Sequence, residues 1–180
     1  MTTITITEAL AEVPTISKRI EKKANFIGSF LFRQSAVRDP HEKDGGSAVL
    51  IAREFQAIRD LQNRLINIRA AVQRANSEHV ITIGSETKSI ADWLTWRREI
   101  VEFDRRFLGQ LTSALKQMRD DANKKGVAVT DKDPGGYSAD YVVNINEKEL
   151  SEKIENIETV MGTLDGKLSL ANATILIEVP

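Results

Sequence analysis

The longest regular pattern of apolar positions lies between residues 48 and 119. Ile51, Phe55, Ile58, Leu61, Leu65, Ile68, Val72 and Ala75 follow one another in steps of three or four, the spacing of one helical face. Arg53, Arg59, Arg64, Arg69 and Arg74 are interleaved with them. A polar elbow at 77–89 interrupts the pattern, and a return helix then carries Ile90, Trp93, Leu94, Ile100, Val101, Phe107, Leu108, Leu111, Leu115 and Met118. The pattern predicts two long antiparallel helices on which the flanking segments pack. Within the elbow, the β-branched run 80–83 followed by Gly84-Ser85 predicts a small β-hairpin or an extended crossing.

The ends alternate with period two. Residues 2–7 (TTITIT) and 173–179 (ATILIEV) read as short strands, and an unpaired edge is a liability, so they are expected to pair, within one chain or between copies. Thr5 and Glu8 have capping-box spacing, and Leu10, Val13, Ile16, Ile20, Ala24, Ile27 and Leu31 then form one stripe ending near Arg33. Pro14 lies too far inside for a first-turn proline, which predicts a kink or a restart. Ser89 with Asp92 and Asn146 with Glu149 mark two further helix starts.

The last helix, after a short strand at 141–145, has the strictest stripe. Leu150, Ile154, Ile157, Met161, Leu164, Leu168 and Ala171 alternate steps of four and three, a heptad seam that wants a helical partner. Gly109 in the third helix, and Gly162 with Gly166 in the last, either admit a close backbone or merely loosen the helix. Polar loops are expected at about 34–47 and 123–140, the first of them mobile. The expected fold is mainly α: an antiparallel helical bundle or coiled coil of four helices, with short terminal β-strands and a small β-elbow, forming a single helical domain over 1–180.

Composition narrows the functional classes. A chain of 180 residues can bury a sizeable core without staples, and it has no cysteine, which rules out disulfides and thiol chemistry. The net charge of −1 argues against nucleic acid as a partner. No apolar run is long enough to span a bilayer, and the first ten residues lack the basic start and apolar core of a secretion signal. A soluble, cytoplasmic protein is expected.

The order of elements resembles the septicolysin-like family of small bacterial and phage helical proteins. The resemblance is carried by a helix reading ALAEVPTISKRI, one ending VQRANSEHVI, a return opening SIADWLTWRR and a last helix ending LDGKLSLANAT. Arg74 and Asn76 match the family's Arg-x-Asn, Arg97 and Arg98 its Arg-Arg, and Leu164, Asp165 and Asn172 its closing Leu-Asp…Asn. The Trp93/Trp96 pair and a longer loop after Asn123 depart from it. The resemblance implies an oligomeric helical bundle. The family's name implies a membrane-active toxin, although these residues contain no long amphipathic hairpin and no apolar span.

Catalytic chemistry is scarce. His41 and His79 fall in predicted loops, and no His-x-x-x-His or Glu-x-x-His pair occurs, so neither a metal nor a cofactor is expected. No Gly-x-Ser-x-Gly elbow occurs, and Gly45-Gly46 and Gly135-Gly136 lack the strand-then-helix context of a phosphate loop. Arg97-Arg98 and Arg105-Arg106, interleaved with Glu99, Glu102 and Asp104, read either as a salt-bridged face or inter-subunit ion pairs, or as an anion site. In the second reading Arg74, Asn76, Lys88, Arg97 and Arg98 converge near the elbow with Trp93 or Trp96 stacking on a base, and Asn172 joins them through the family motif. The leading expectation is a non-enzymatic, homo-oligomeric helical binding or interaction protein. The alternative is a sequestering protein that holds a phosphorylated small molecule or signalling nucleotide in Arg-lined pockets between subunits.

Overall fold

The structure is a computed structural model that describes residues 2–130 and 140–180. Among these the order is β1 (Thr2–Thr5), α1 (Ile6–Ser29), a 3-10 turn (Glu42–Asp44), α2 (Ser47–Glu78), β2 (Val80–Ile83), β3 (Glu86–Ser89), α3 (Ile90–Thr95), a π-helical turn (Trp96–Ile100), α4 (Val101–Lys125), β4 (Val129–Thr130), β5 (Tyr141–Val142), α5 (Glu147–Thr174) and β6 (Leu176–Val179). Because α3, the π turn and α4 are continuous, the fold is mainly α, with four helices and short strands. The chain divides into two compact units, Met1–His79 with Leu168–Pro180, and Val80–Lys167.

In the first unit Thr5 ends the strand and starts the helix. Its hydroxyl accepts from the Glu8 N–H at 3.2 Å, and the Glu8 carboxylate accepts from the Thr5 N–H at 2.8 Å. The Thr5 N–H, and then the Thr5 hydroxyl donating to the same carboxylate at 2.9 Å, hold the Glu8 carboxyl below its usual range. α1 runs unbroken through Pro14. Pro14 is exposed, so the carbonyl that loses its helical donor can turn to water. The helix ends at Ser29, one turn short of the expected Arg33.

α1 and α2 are antiparallel, tied by Lys23–Glu54 at 2.7 Å and Glu12–Arg64 at 3.1 Å. The terminal strands pair within the chain, antiparallel, with Thr2 opposite Val179 and Thr5 opposite Leu176. Ile6, Ala9 and Ile16 of α1, Ile68, Val72 and Ala75 of α2, and Ile177 and Val179 of β6 form the core. Coverage fades towards the start of α2: Phe55, placed on the buried stripe by its spacing, is 50% exposed. The 34–47 loop is organised by one side chain. Asp39 accepts from the N–H groups of His41 and Ser47, both at 2.9 Å, and from the Ser47 hydroxyl at 2.6 Å, which caps α2 from eight residues upstream.

In the second unit β2 and β3 form the hairpin read from the elbow, closed by Gly84 (φ 59°) and Ser85. Ser89 and Asn146 cap the helices that follow them. α4 and α5 are antiparallel: Arg97 meets Asp165 at 2.8 Å, Arg105 meets Glu158 through two bonds of 3.0 and 2.9 Å, and Arg119 meets Glu147. The expected 123–140 loop opens with the end of α4, and Val129–Thr130 pairs in parallel with Tyr141–Val142. The rest of it, residues 131–139 including Gly135 and Gly136, lies outside the described residues. Among the described residues a Cβ placed at Gly109, Gly162 or Gly166 would meet nothing within 4 Å, so no backbone from another element there approaches them closely.

Candidate functional site

The most distinctive local feature is the π turn. On a regular helix at about 100° per residue, Trp93 would share a heptad row with Ile100 and Phe107, and Leu94 would fall in line with Val101 and Leu108. One residue is in effect inserted by the π turn, so Trp93 and Val101, eight apart, come to face the same way. Both are buried, at 2% and 0% exposure. The Trp93 indole N–H donates to the Ile81 carbonyl at 2.9 Å, which locks α3 onto the hairpin, and Trp96 meets its ring edge-on at 5.4 Å.

Removing Trp93 from that row leaves the rest of it open. Ile100 (48% exposed), Phe103 (58%) and Phe107 (46%) lie along one line of the helix, with the Phe103 and Phe107 rings stacked at 6.1 Å. Beside this line runs the covered seam of Val101, Leu108 and Ala122. Scattered apolar side chains are ordinary on a surface, whereas these three are contiguous and lie next to a packed seam. The sequence reading missed Phe103. The signal was available in the steps of four, three and four from Trp96 through Ile100 and Phe103 to Phe107.

The anion-site residues are differently placed. Arg97 holds Asp165, and Arg98 holds Glu99 at 2.9 Å. Lys88 pairs with Glu86 and lies 4.7 Å above the Trp93 ring, and Trp93 is too deeply buried to stack on a ligand without moving. These four belong to the second unit, whereas Arg74, Asn76 and Asn172 belong to the first. Arg74 and Asn76, two apart on α2, point to different sides: Arg74 is exposed, and Asn76 is half-buried, its Oδ1 without a hydrogen-bond partner among the described residues. An anion arriving at Arg97 and Arg98 would have to displace two carboxylates.

A cleft of about 470 Å³ opens beside the tryptophans, lined by Ile83, Gly84 and Glu86 of the hairpin, Asp104 of α4, and Asn156, Thr159 and Thr163 of α5. Its charged groups, Glu86 and Asp104, are both acidic, so it does not favour a phosphate. Among the described residues no group of three or more acidic, histidine or cysteine side chains is arranged to hold a metal. No helix is long and apolar enough to cross a membrane, again among the described residues.

The class defined by this geometry is a mainly α protein built on antiparallel helix pairs. A solved structure with the same fold is a functionally unknown conserved protein from Corynebacterium diphtheriae, at a TM-score of 0.52 and 17% identity, with 98% of this chain and 100% of that one covered. No family model and no curated protein matches the chain.

Proposed function

We propose that the protein is a non-enzymatic, homo-oligomeric helical interaction protein. The observation that supports this most directly is the open row Ile100, Phe103 and Phe107 on α4. α4 has apolar side chains on two adjacent faces: the one with Val101, Leu108 and Ala122 is buried, and the one with Phe103 and Phe107 stands open. Leaving large rings in water forgoes roughly 1.5–3 kcal/mol for each one that burial would recover. A second helical surface is the simplest cover, and copies of the same chain supply it at equal concentration.

The test is a native mass spectrum of the purified protein, read for stoichiometry and for retained small molecules. A dimer or higher oligomer free of ligand is the expected result. A monomer at high micromolar concentration overturns the proposal. A retained phosphorylated compound that disappears in Arg97→Ala would replace it with the sequestering alternative.

A further inference from the structure

At about 100° per residue, Ile100, Phe103 and Phe107 span an arc of only ~60°. On the flank of this arc away from the Val101–Leu108 seam lie Glu99 and Arg106, seven residues and two turns apart. Among the described residues neither reaches another helix: Glu99 meets only its neighbour Arg98, and Arg106 donates only to the Glu102 carbonyl one turn back.

Read in reverse, this row matches itself to within one residue. A two-fold axis passing at Phe103 sets that ring against its own copy. It also brings Ile100 to within one residue's rise, about 1.5 Å, of the level of Phe107 of the second copy, and Glu99 equally close to the level of its Arg106. In an antiparallel helix pair, like flanks face each other, so the two charges meet twice, once on each side of the axis. A parallel pairing would instead set this flank against the opposite one, which carries Asp104 and Leu111, and would keep Glu99 and Arg106 of the two copies apart.

We propose that the protein dimerises through an antiparallel, two-fold pairing of α4 centred on Phe103, closed by reciprocal Glu99–Arg106 ion pairs. The proposal rests on the self-association reading above and specifies its interface. Each α4 runs antiparallel to an α5, linked by Arg105–Glu158 and Arg119–Glu147, so two such limbs joined along α4 make a four-helix arrangement, the usual way for a helix with two apolar faces to bury both.

The pairing is tested on the full chain by light scattering coupled to size exclusion, with circular dichroism checking that each variant folds. Glu99→Arg places like charges across the axis and is expected to weaken the dimer by about tenfold or more. The reciprocal variant Glu99→Arg/Arg106→Glu is expected to recover to within about threefold of the unmodified protein, because the pair is restored with its signs exchanged. The chain has no cysteine, so Phe103→Cys gives a single thiol, expected to form a disulfide-linked dimer on mild oxidation. Gln117→Cys is the control: two copies of residue 117 would lie about 40 Å apart and stay unlinked. A dimer unaffected by Glu99→Arg and not cross-linked through Phe103→Cys overturns this pairing but leaves self-association standing. A monomeric unmodified protein overturns both.

Discussion

Arg64 grips Glu12 with two parallel hydrogen bonds, Nε to Oε1 and Nη2 to Oε2, each 3.1 Å long. Its remaining nitrogen, Nη1, donates to the main-chain oxygen of Pro180 at 3.0 Å, so one guanidinium ties α1, α2 and the end of the terminal sheet. The carboxylate's hydrogen bonds hold the guanidinium more firmly protonated than usual. Only an arginine fork can make all three contacts. With Arg64 and Glu12 about a quarter and a third exposed, water screens part of the attraction. Arg64→Lys is expected to cost about 1 kcal/mol, and a double-mutant cycle with Glu12→Gln to show a coupling of about 0.5–1 kcal/mol in urea unfolding. A coupling of zero would mean the pair is ornamental.

Burial along α2 separates two residues that share one stripe. Ile68 is fully buried in the core where α1, α2 and β6 meet, whereas Phe55 is half exposed. Ile68→Ala leaves a cavity that the packed neighbours fill only in part, for a loss of roughly 2–5 kcal/mol. Phe55→Ala, although it removes more atoms, is expected to cost less than about 1 kcal/mol. Denaturant midpoints for the two variants check the ranking, and a reversed order would place the core at the wrong end of the helix.

Asp39 makes the cap of α2 sensitive to acid. The Ser47 hydroxyl and N–H, then the His41 N–H and the nearby Arg33, favour the charged carboxylate and pull its pKa from 3.8 to about 2. Since the folded value lies below the ordinary one, this contribution is complete above about pH 4 and disappears as pH falls through 2. Asp39→Asn should melt a few degrees below the unmodified protein near neutrality, and the gap should close towards pH 2. A gap independent of pH would show that shape rather than charge organises the loop.

What was legible in the sequence was local. The cap pairs Thr5 with Glu8, Ser89 with Asp92 and Asn146 with Glu149 are each three residues apart, and each caps its helix. The hairpin was announced by Gly84-Ser85, and the pairing of the terminal strands by their matched alternation. Features that depend on a distant neighbour were hidden. Periodicity shows which side of a helix is apolar, not how far along a partner covers it, so Phe55 and Ile154 were expected to be buried and stand exposed. Asp39 caps a helix from eight residues away, outside any capping motif. Arg97 looked available for an anion because its partner, Asp165, lies 68 positions further on.

The π turn sharpens the same point into a test. If its role is to shift phase, so that Trp93 falls in line with Val101 and leaves Ile100 and Phe107 outside, then its extra residue carries no other information. Deleting Arg98, an exposed residue that among the described residues pairs only with its neighbour Glu99, should convert the turn to regular helix and keep Trp93 and Val101 on one face, now seven apart. Deleting Ser113 instead breaks the step of seven between Leu108 and Leu115 and rotates the rest of α4 by about 100° away from its seam. The first variant is expected to fold with the blue-shifted fluorescence of a buried Trp93 and a melting temperature within a few degrees of the unmodified protein. The second is expected to lose cooperative melting in the α4–α5 pair. If the Arg98 deletion is the more damaging of the two, the π turn serves a local need at Trp96 and the phase argument fails.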